Sequence, residues 1–251
     1  MLTPERHERI LQKLREYKTI TVQELTVQLN CSESTIRRDL SALDAEGLLK
    51  KIHGGATLLG EEGMREEYTV ETKYSLHTDE KRRIAKMAAL MIHDSDFVYL
   101  DAGTTTECLL DYLTCRDTVF VTNGLQIARR LSSQGHTVYL PAGRVKFVTD
   151  AVVGGRAIES ISCYNFTLGF FGVNGITLQN GYTTPDEEEA RMKKAAMSRC
   201  RRKIVLADPS KFGLLTAVTF APLEAAEILT TALEDTRYRE QTTLLEVDRL
   251  P

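Results

Sequence analysis

At 251 residues the chain is longer than an average domain of about 100 to 200 residues, so we expect one large domain or two unequal ones. Its 42% hydrophobic and 27% charged residues exclude disorder over most of the chain, and no apolar stretch approaches the roughly 20 residues of a membrane span. The net charge of −3 does not indicate a nucleic-acid-binding protein, so any DNA binding must depend on where the charges lie.

The cysteines favour a reducing compartment. They are odd in number, widely spaced and never arranged as Cys-x-x-Cys, which argues against a disulfide framework or a zinc site: Cys31, Cys108, Cys115, Cys163 and Cys200. Charged residues begin at Glu5, unlike a secretory signal. We predict a cytoplasmic protein that does not associate with a membrane and uses neither a metal ion nor a cofactor.

Residues 1–57 predict three helices. Thr3 and Pro4 are typical of a helix start. Residues 21–24 match a capping box, and Ser32 is the next helix cap. Gly47 is typical of a helix end. Each helix has one apolar stripe, formed in turn by Ile10, Leu11, Leu14 and Tyr17, by Leu25 and Leu29, and by Ile36, Leu40 and Leu43.

The second and third helices, joined by a short turn, match a helix-turn-helix that enters the major groove of DNA. The segment LLKKIHGGATLL then predicts a hairpin that acts as a wing beside it. Arginine recognises guanine edges, whereas Ser, Thr and Lys contact phosphates. The candidate DNA-binding residues are Ser32, Ser34, Thr35, Arg37, Arg38, Lys50, Lys51 and His53. The same periodicity also fits a three-helix interaction module whose charges face solvent.

The motifs STIRRDL at residues 34–40 and HGGA at residues 53–56 are highly specific. With the segments around them, they make residues 3–57 resemble the DNA-binding domain of the DeoR family of bacterial transcription regulators. MLTPERH and SESTIRRDL resemble, more narrowly, the fructose-operon repressors of that family. The resemblance implies a winged helix-turn-helix domain over residues 1–57.

Residues 58–75 mix glycine and acids with few periodic apolar residues, so we predict a linker there and a second domain over residues 76–251. A helix is expected after Thr78. Apolar runs and helical patterns then alternate from DFVYL to AEILTT, which predicts βα units and a largely parallel sheet. In such sheets ligands bind beyond the carboxyl ends of the strands.

Polar residues follow four of the predicted strands. Helix starts after Gly103 and Asn123 offer backbone N–H groups, and threonine hydroxyls and a lysine could hold an anion. The candidate ligand-binding residues at these ends are Asp101, Gly103, Thr104, Thr105, Thr106, Thr122, Asn123, Gly124, Asn174 and Lys211. Each turn alone is also explained by ordinary helix capping or chain reversal.

Glu189 and Lys193 stand one turn apart on a predicted helix. One interpretation is a surface ion pair. The other directs Glu189 into the pocket to accept hydrogen bonds from sugar hydroxyls. The spacing does not decide between them.

The motifs YLDAGTTT, VTNG, GVNG, GYTTPDEEEARMKK and LADPSKFG make residues 76–232 resemble the DeoR sensor domain. That resemblance implies a Rossmann-like fold similar to ribose-5-phosphate isomerase and a phosphorylated sugar as ligand. Aldose–ketose isomerisation requires a general base and acidic partners. Where the isomerase pattern has two aspartates this chain has Phe171 and Asn174, so Glu189, which matches the base, is expected to bind sugar without turnover.

We therefore predict a transcriptional regulator, most readily a repressor, whose effector is fructose 1-phosphate. A symmetric operator implies at least a dimer. The rival hypothesis is a sugar-phosphate isomerase-like enzyme with an appended interaction module.

Overall fold

The computed structural model describes residues 3–17, 19–46, 48–52, 54–57, 70–233 and 235–247. The chain divides into two compact units, Met1–Glu66 and Glu67–Pro251. Residues 58–69 of the predicted linker lie outside the described residues, as do His53 and the predicted helix end at Gly47.

The first unit contains the three predicted helices and a small sheet. The helices are α1 (Thr3–Tyr17), α2 (Val22–Leu29) and α3 (Glu33–Ala45), and the strands are β1 (Thr19–Thr21), β2 (Lys50–Ile52) and β3 (Gly55–Thr57). The strand order β1-β3-β2 is antiparallel throughout, so the predicted hairpin pairs with β1. A Cβ at Gly55 would lie 2.3 Å from the carbonyl oxygen of Ile20, so this pairing requires glycine.

The helix starts follow from local capping. Thr21 and Glu24 form the predicted capping box, in which each side chain accepts a hydrogen bond from the other residue's backbone N–H. Asn30 ends α2 in the left-handed conformation, with φ of 49°. The three apolar stripes converge in one core, where Ile10, Leu25 and Ile36 are fully buried. The placement of Tyr17 on the first stripe is wrong: Tyr17 is the last residue of α1 and is 57% exposed. The predicted helices and hairpin are confirmed.

An ion pair that we did not predict joins α1 to α3 inside this unit. Arg6 Nε donates to Asp39 Oδ2 at 2.5 Å, and Arg6 Nη2 donates to Oδ1 at 3.0 Å. His7 Nε2 lies 3.3 Å from the same Oδ1. Burial disfavours the Asp39 carboxylate, but these partners outweigh burial and hold its pKa below the usual value. The pair sets how α3 lies against α1.

The second unit is an α/β fold. Its helices are α4 (Val70–Ser75), α5 (Thr78–Ala89), α6 (Thr104–Cys108), α7 (Leu125–Ser133), α8 (Gly155–Ser162) and α9 (Glu187–Ser198). Its strands are β4 (Phe97–Leu100), β5 (Val119–Thr122), β6 (Thr137–Tyr139), β7 (Arg144–Lys146), β8 (Ala151–Val153), β9 (Phe166–Gly172), β10 (Gly175–Thr177), β11 (Gly181–Thr184), β12 (Cys200–Leu206), β13 (Val218–Ala221), β14 (Glu227–Thr230) and β15 (Leu244–Glu246).

The main sheet has seven strands in the order β15-β14-β12-β9-β4-β5-β6, and all neighbouring pairs are parallel. One face packs against α8 and α9, and the other packs against α5 and α7. The predicted parallel sheet is confirmed. From β4 the chain runs to β5 on one side, whereas β9 lies on the other side, so the order reverses between β4 and β9. Open parallel sheets bind ligands outside this reversal point.

Several elements were not predicted. β7 pairs with β8, and β10, β11 and β13 form a small antiparallel sheet. These strands have only three or four residues each, which is too short to show a periodic pattern. The helix α4 also lies within the range that we assigned to the linker, where its six residues have no apolar stripe.

Candidate DNA-binding and ligand-binding sites

The predicted DNA-binding hydroxyl groups surround the start of α3. Ser32 caps the helix, and its Oγ accepts a hydrogen bond from Thr35 N at 3.2 Å. The same Oγ lies 3.0 Å from Ser34 Oγ and 2.8 Å from Thr35 Oγ1. Ser32 and Ser34 are exposed, so this cluster can also contact a phosphate.

Arg37 and Arg38 are both exposed on α3. Arg37 Nη2 lies 2.5 Å from Glu33 Oε1, one turn earlier on the helix. Such exposed pairs contribute about 0.2 to 0.5 kcal/mol, so DNA could replace Glu33 at little cost. Arg38 has no ion pair within the described part of the chain, which leaves its guanidinium group available to a partner.

The wing is tied to the same helix. Lys51 Nζ donates to Ser41 Oγ at 2.7 Å, and Lys51 N donates to Asp44 Oδ1 at 2.9 Å. Lys50 is half-buried, whereas Lys51 is exposed. Because His53 lies outside the described residues, its position in the wing stays a prediction.

The second candidate site lies at the carboxyl ends of β4 and β9, where the strand order reverses. Asp101 follows β4 directly and is 1% exposed, and Lys193 of α9 is 5% exposed. Lys193 Nζ pairs with Asp101 Oδ2 and donates to the carbonyl oxygen of Gly172 at 3.2 Å. Gly172 N donates to Asp101 Oδ2 at 3.0 Å. Burial raises the pKa of Asp101, although Lys193 and the Gly172 N–H oppose the change.

Glu189 extends this cluster. Its Oε1 accepts hydrogen bonds from Thr149 Oγ1 at 2.6 Å and from Lys146 Nζ at 3.2 Å. Burial alone would raise its pKa, but Lys193, Thr149 and Lys146 outweigh burial, so the pKa is lowered. Glu189 is 8% exposed, which is inconsistent with a surface ion pair to Lys193. Asp186 caps α9 and accepts from Glu189 N at 2.9 Å.

The threonines after β4 have different environments. Thr106 Oγ1 donates to the carbonyl oxygens of Asp101 and Gly103, at 2.7 Å each, so its side chain holds the turn itself. The hydroxyl groups of Thr104 and Thr105 have no hydrogen-bond partner in the part of the chain that the structure describes. Thr104 is 6% exposed and Thr105 is half-buried.

The predicted residues after β5 form the wall of the turn. Asn123 Oδ1 accepts from Tyr99 Oη at 3.1 Å and from Ala102 N at 2.9 Å, and Asn123 Nδ2 donates to the carbonyl oxygen of Val152 at 3.3 Å. The Oγ1 of Thr122 accepts from Gly124 N at 3.1 Å. These side chains connect the loops after β4 and β5.

Asn174 and Lys211 lie in the two remaining strand-end segments. Asn174 Oδ1 accepts from Thr184 Oγ1 at 3.1 Å, at the start of the small antiparallel sheet. Lys211 Nζ lies 4.0 Å from Asp208 Oδ2, and the Lys211 side chain is 29% exposed. Since Asp208 and Lys211 follow β12, they sit at the same edge of the main sheet as Asp101.

Three residues at this edge were not predicted: Lys81, Lys146 and Thr149. Lys81 is 5% exposed, and its Nζ donates to the carbonyl oxygen of Lys73. Burial lowers the pKa of Lys81, which Asp208 opposes and Lys211 reinforces. Lys81 lies three residues before Ile84, on the apolar stripe of α5. A lysine on an apolar stripe is unusual, and this could have identified Lys81 as a buried charged residue from the sequence. The short strands near Lys146 and Thr149 showed no sequence pattern that would have identified these two residues.

Other features concern cysteines, metal ligands and membrane spans. All five cysteines are free thiols. Among the described residues, no three His, Cys, Asp or Glu side chains lie close enough together to hold a metal ion. Within the same residues, no helix has the length and apolar character needed to cross a membrane.

Solved structures match only part of this chain. A solved structure of ribose 5-phosphate isomerase A from Neisseria gonorrhoeae matches with a TM-score of 0.40 and 13% identity, covering 53% of this chain and 52% of the isomerase. A likeness this partial says nothing about the chemistry of the site.

Family models cover most of both units. The DeoR-like helix-turn-helix domain matches residues 6–62, and the DeoR C terminal sensor domain matches residues 76–232. The uncharacterized HTH-type transcriptional regulator FruR of Bacillus subtilis is 40% identical over 246 residues, which is 96% of this chain and 97% of FruR. The lactose phosphotransferase system repressor of Lactococcus lactis is 35% identical and covers 82% of each chain. The chain therefore belongs to the DeoR family of DNA-binding transcriptional regulators.

Proposed function

We propose that this protein represses a sugar-utilisation operon and that a phosphorylated sugar, fructose 1-phosphate, releases it from the operator. In this proposal α3 and the wing bind DNA, and the edge of the main sheet near Asp101 binds the sugar. Because operators lie in the cytoplasm, the protein acts there, and as at least a dimer on a two-fold symmetric operator.

The DNA-binding half is supported by how charge is distributed on α3. The unpaired Arg38 guanidinium, the weakly paired Arg37 and the Ser32 hydroxyl lie on exposed positions of its first two turns. The two hydrogen bonds from Lys51 to α3 keep the wing beside this helix. That arrangement offers one arginine to a base edge and several groups to phosphates.

The observation that carries the sensor half is the buried charged cluster at the point where the strand order reverses. Asp101, Lys193 and Glu189 are all at least nine-tenths buried there. Carboxylates accept hydrogen bonds from sugar hydroxyls well, because charged acceptors form the stronger bonds. The unpartnered hydroxyls of Thr104 and Thr105 then donate to the phosphate, and Lys211 supplies positive charge.

One resemblance supports fructose 1-phosphate in particular, and the name of one relative supports a phosphorylated sugar in general. The segments MLTPERH and SESTIRRDL resemble those of fructose-operon repressors. A relative 35% identical to this chain is named as the repressor of a lactose phosphotransferase system, a name that joins a sugar to phosphoryl transfer.

We further propose that the protein is not an enzyme. Where isomerisation needs acids, Phe171 is fully buried and stacked on Tyr99, with ring centroids 5.5 Å apart. The amide of Asn174 is neutral and accepts a hydrogen bond from Thr184. Glu189 with its lowered pKa is a poor general base near neutral pH, since a base acts best with a pKa near the working pH.

Operator binding measured with and without ligands tests the proposal. The upstream DNA of the operon is labelled, and its binding is followed by fluorescence anisotropy in the presence of fructose 1-phosphate, fructose 6-phosphate, ribose 5-phosphate, fructose and inorganic phosphate. We expect fructose 1-phosphate to weaken binding at least tenfold, which corresponds to about 1.4 kcal/mol of differential affinity. Fructose and inorganic phosphate are expected to have no effect.

The other outcomes separate the parts of the proposal. Release by another sugar phosphate alone would retain the sensor and reject fructose 1-phosphate. If no sugar phosphate released DNA, the sensor proposal would be wrong. Formation of an isomerised sugar phosphate, followed by NMR in the same solutions, would support the enzyme instead.

A further inference from the structure

The short helix α4 connects the two sides of the ligand site. It comes directly before α5, and the chain preceding it leads from the winged helix-turn-helix unit. One end of α4 is hydrogen-bonded to the segment whose side chains contact Glu189, and the other end is hydrogen-bonded to α6, which carries the predicted ligand-binding threonines.

The first end of α4 is bonded to the segment that holds Glu189. Val70 N donates to the carbonyl oxygen of Val148 at 3.3 Å. Val148 lies between Lys146 and Thr149, whose side chains donate to Glu189 Oε1 at 3.2 Å and 2.6 Å. A ligand that draws Glu189 or Lys146 into new hydrogen bonds therefore acts on the segment to which α4 is attached.

The other end of α4 is bonded to the helix that follows the threonine turn. Tyr74 Oη donates to Glu107 Oε2 on α6. Glu107 is 9% exposed and also accepts from Arg130 Nη1 at 3.1 Å. Since Glu107 N donates to the carbonyl oxygen of Gly103 at 2.9 Å, any shift of the Thr104–Thr105 turn is passed to Glu107 and to Tyr74.

A third bond depends on positive charge at the site. Lys81 Nζ donates to the carbonyl oxygen of Lys73 in α4, and the charges of Asp208 and Lys211 act on Lys81. A phosphate bound near Lys211 attracts the Lys81 ammonium more strongly than a neutral carbonyl oxygen does, because the phosphate carries a full negative charge. Binding thus weakens the hydrogen bond that holds the last turn of α4.

We propose that α4 is a ligand-sensitive latch: its bonds to Val148, Glu107 and Lys81 hold it beside the ligand site, and a bound sugar phosphate loosens α4 and thereby weakens operator binding. This inference rests on the proposed sensor function. It adds the element through which the two activities are coupled. A ligand shifts such an equilibrium only by binding the two arrangements of α4 with different affinities.

Tyr74→Phe is the sharpest variant, because it removes one hydroxyl group of the latch and no group that we assign to DNA or sugar binding. Tyr139→Phe is the matched control, since the Tyr139 hydroxyl group has no hydrogen-bond partner among the described residues. For wild type and both variants, calorimetry measures the Kd for fructose 1-phosphate, and anisotropy measures operator binding with and without saturating ligand. Hydrogen exchange of residues 70–75 reports directly on α4.

We expect saturating fructose 1-phosphate to speed exchange of the wild-type α4 amides at least fivefold. Without ligand, Tyr74→Phe should already exchange several times faster than wild type. Its Kd for the sugar should stay within threefold of wild type, while the factor by which the sugar weakens operator binding should fall to less than half. Tyr139→Phe should match wild type in every measurement.

The latch proposal is wrong if a sugar phosphate releases DNA from the wild-type protein while hydrogen exchange in α4 is unchanged. It is also wrong if Tyr74→Phe retains the full factor by which the sugar weakens operator binding. In either case the sensor proposal stands. If neither fructose 1-phosphate nor another sugar phosphate affects wild-type operator binding, the proposed function and the latch fail together.

Discussion

Replacing Asp39 with asparagine should lower the free energy of unfolding of the DNA-binding unit by about 3 kcal/mol. The substitution keeps the shape of the side chain and removes the charge that Arg6 and His7 contact. It leaves the Arg6 guanidinium buried between α1 and α3 with a neutral partner. We therefore expect α3 to be held less firmly against α1.

The magnitude follows from burial. Breaking a fully buried ion pair by removing one partner costs about 3 to 5 kcal/mol, and a hydrogen bond to a charged group contributes about 1.5 to 3 kcal/mol. The Arg6 and Asp39 side chains retain 8% and 4% exposure, and asparagine can still accept one hydrogen bond. We therefore take the lower end of the first range.

The loss should also depend on pH. Because the pKa of Asp39 is lower in the folded chain than in the unfolded one, its carboxylate stabilises the fold above the unfolded value of about 3.9. That contribution is lost as the pH falls through the folded pKa. The difference between wild type and Asp39→Asn should be complete at pH 7 and shrink below about pH 4.

Native-state hydrogen exchange in urea is the suitable assay, since it reports the opening of α3 separately from the second unit. Glu5→Gln is the control: it breaks the exposed Glu5–Arg9 pair, 51% and 57% exposed, and should cost less than about 0.5 kcal/mol. If Asp39→Asn cost no more than the control, the buried pair would contribute no more than a surface one, and our account of α3 would be refuted.

Three further predictions concern the two sites. Replacing Arg37 and Arg38 together with alanine should abolish specific operator binding in a gel-shift titration, at about 1 to 3 kcal/mol per base-reading arginine, without changing the far-ultraviolet circular dichroism spectrum; unchanged binding would remove α3 as the recognition helix. Thr105→Val should weaken sugar-phosphate binding at least about tenfold in calorimetry and leave DNA binding intact, because it removes one unpartnered donor; normal affinity would take Thr105 out of the site. Lys193→Met should destabilise the second unit by about 3 to 5 kcal/mol in thermal denaturation, because Asp101 is left buried without its cation, and Lys193→Met combined with Asp101→Asn should recover part of the loss; equal melting temperatures for the single variant and wild type would contradict the pairing.

Much of the fold was predictable because its signals are local. The apolar stripes of α1, α2 and α3 repeat at helical spacing, and the Thr21–Glu24 capping box needs only four adjacent residues. The alternation of apolar runs with helical patterns predicted the parallel sheet, since each strand of such a sheet is apolar on both faces. The positions of Asp101 and Asn123 at strand ends followed from the same pattern.

What those residues contact was decided by tertiary structure. Asn123 and Thr106 have the same sequence signature as Thr105, yet their side chains are engaged inside the fold, whereas the Thr105 hydroxyl has no partner within the described residues. Such a distinction depends on loops that meet only after the sheet forms. The Glu189 side chain was equally compatible with the surface and the pocket until its burial against Lys146 was known.

The sequence by itself determined the two kinds of domain, the helices and strands with a clear period, and the polar residues at the strand ends, because each of these depends on neighbours within a few residues. Tertiary structure alone decided the Arg6–Asp39 pair, 33 residues apart, the Asp101–Lys193 pair, 92 residues apart, and the bonds that hold α4. Pairing over such distances depends on which strands become neighbours and how helices pack across them, and neither is encoded in the local pattern of polar and apolar residues.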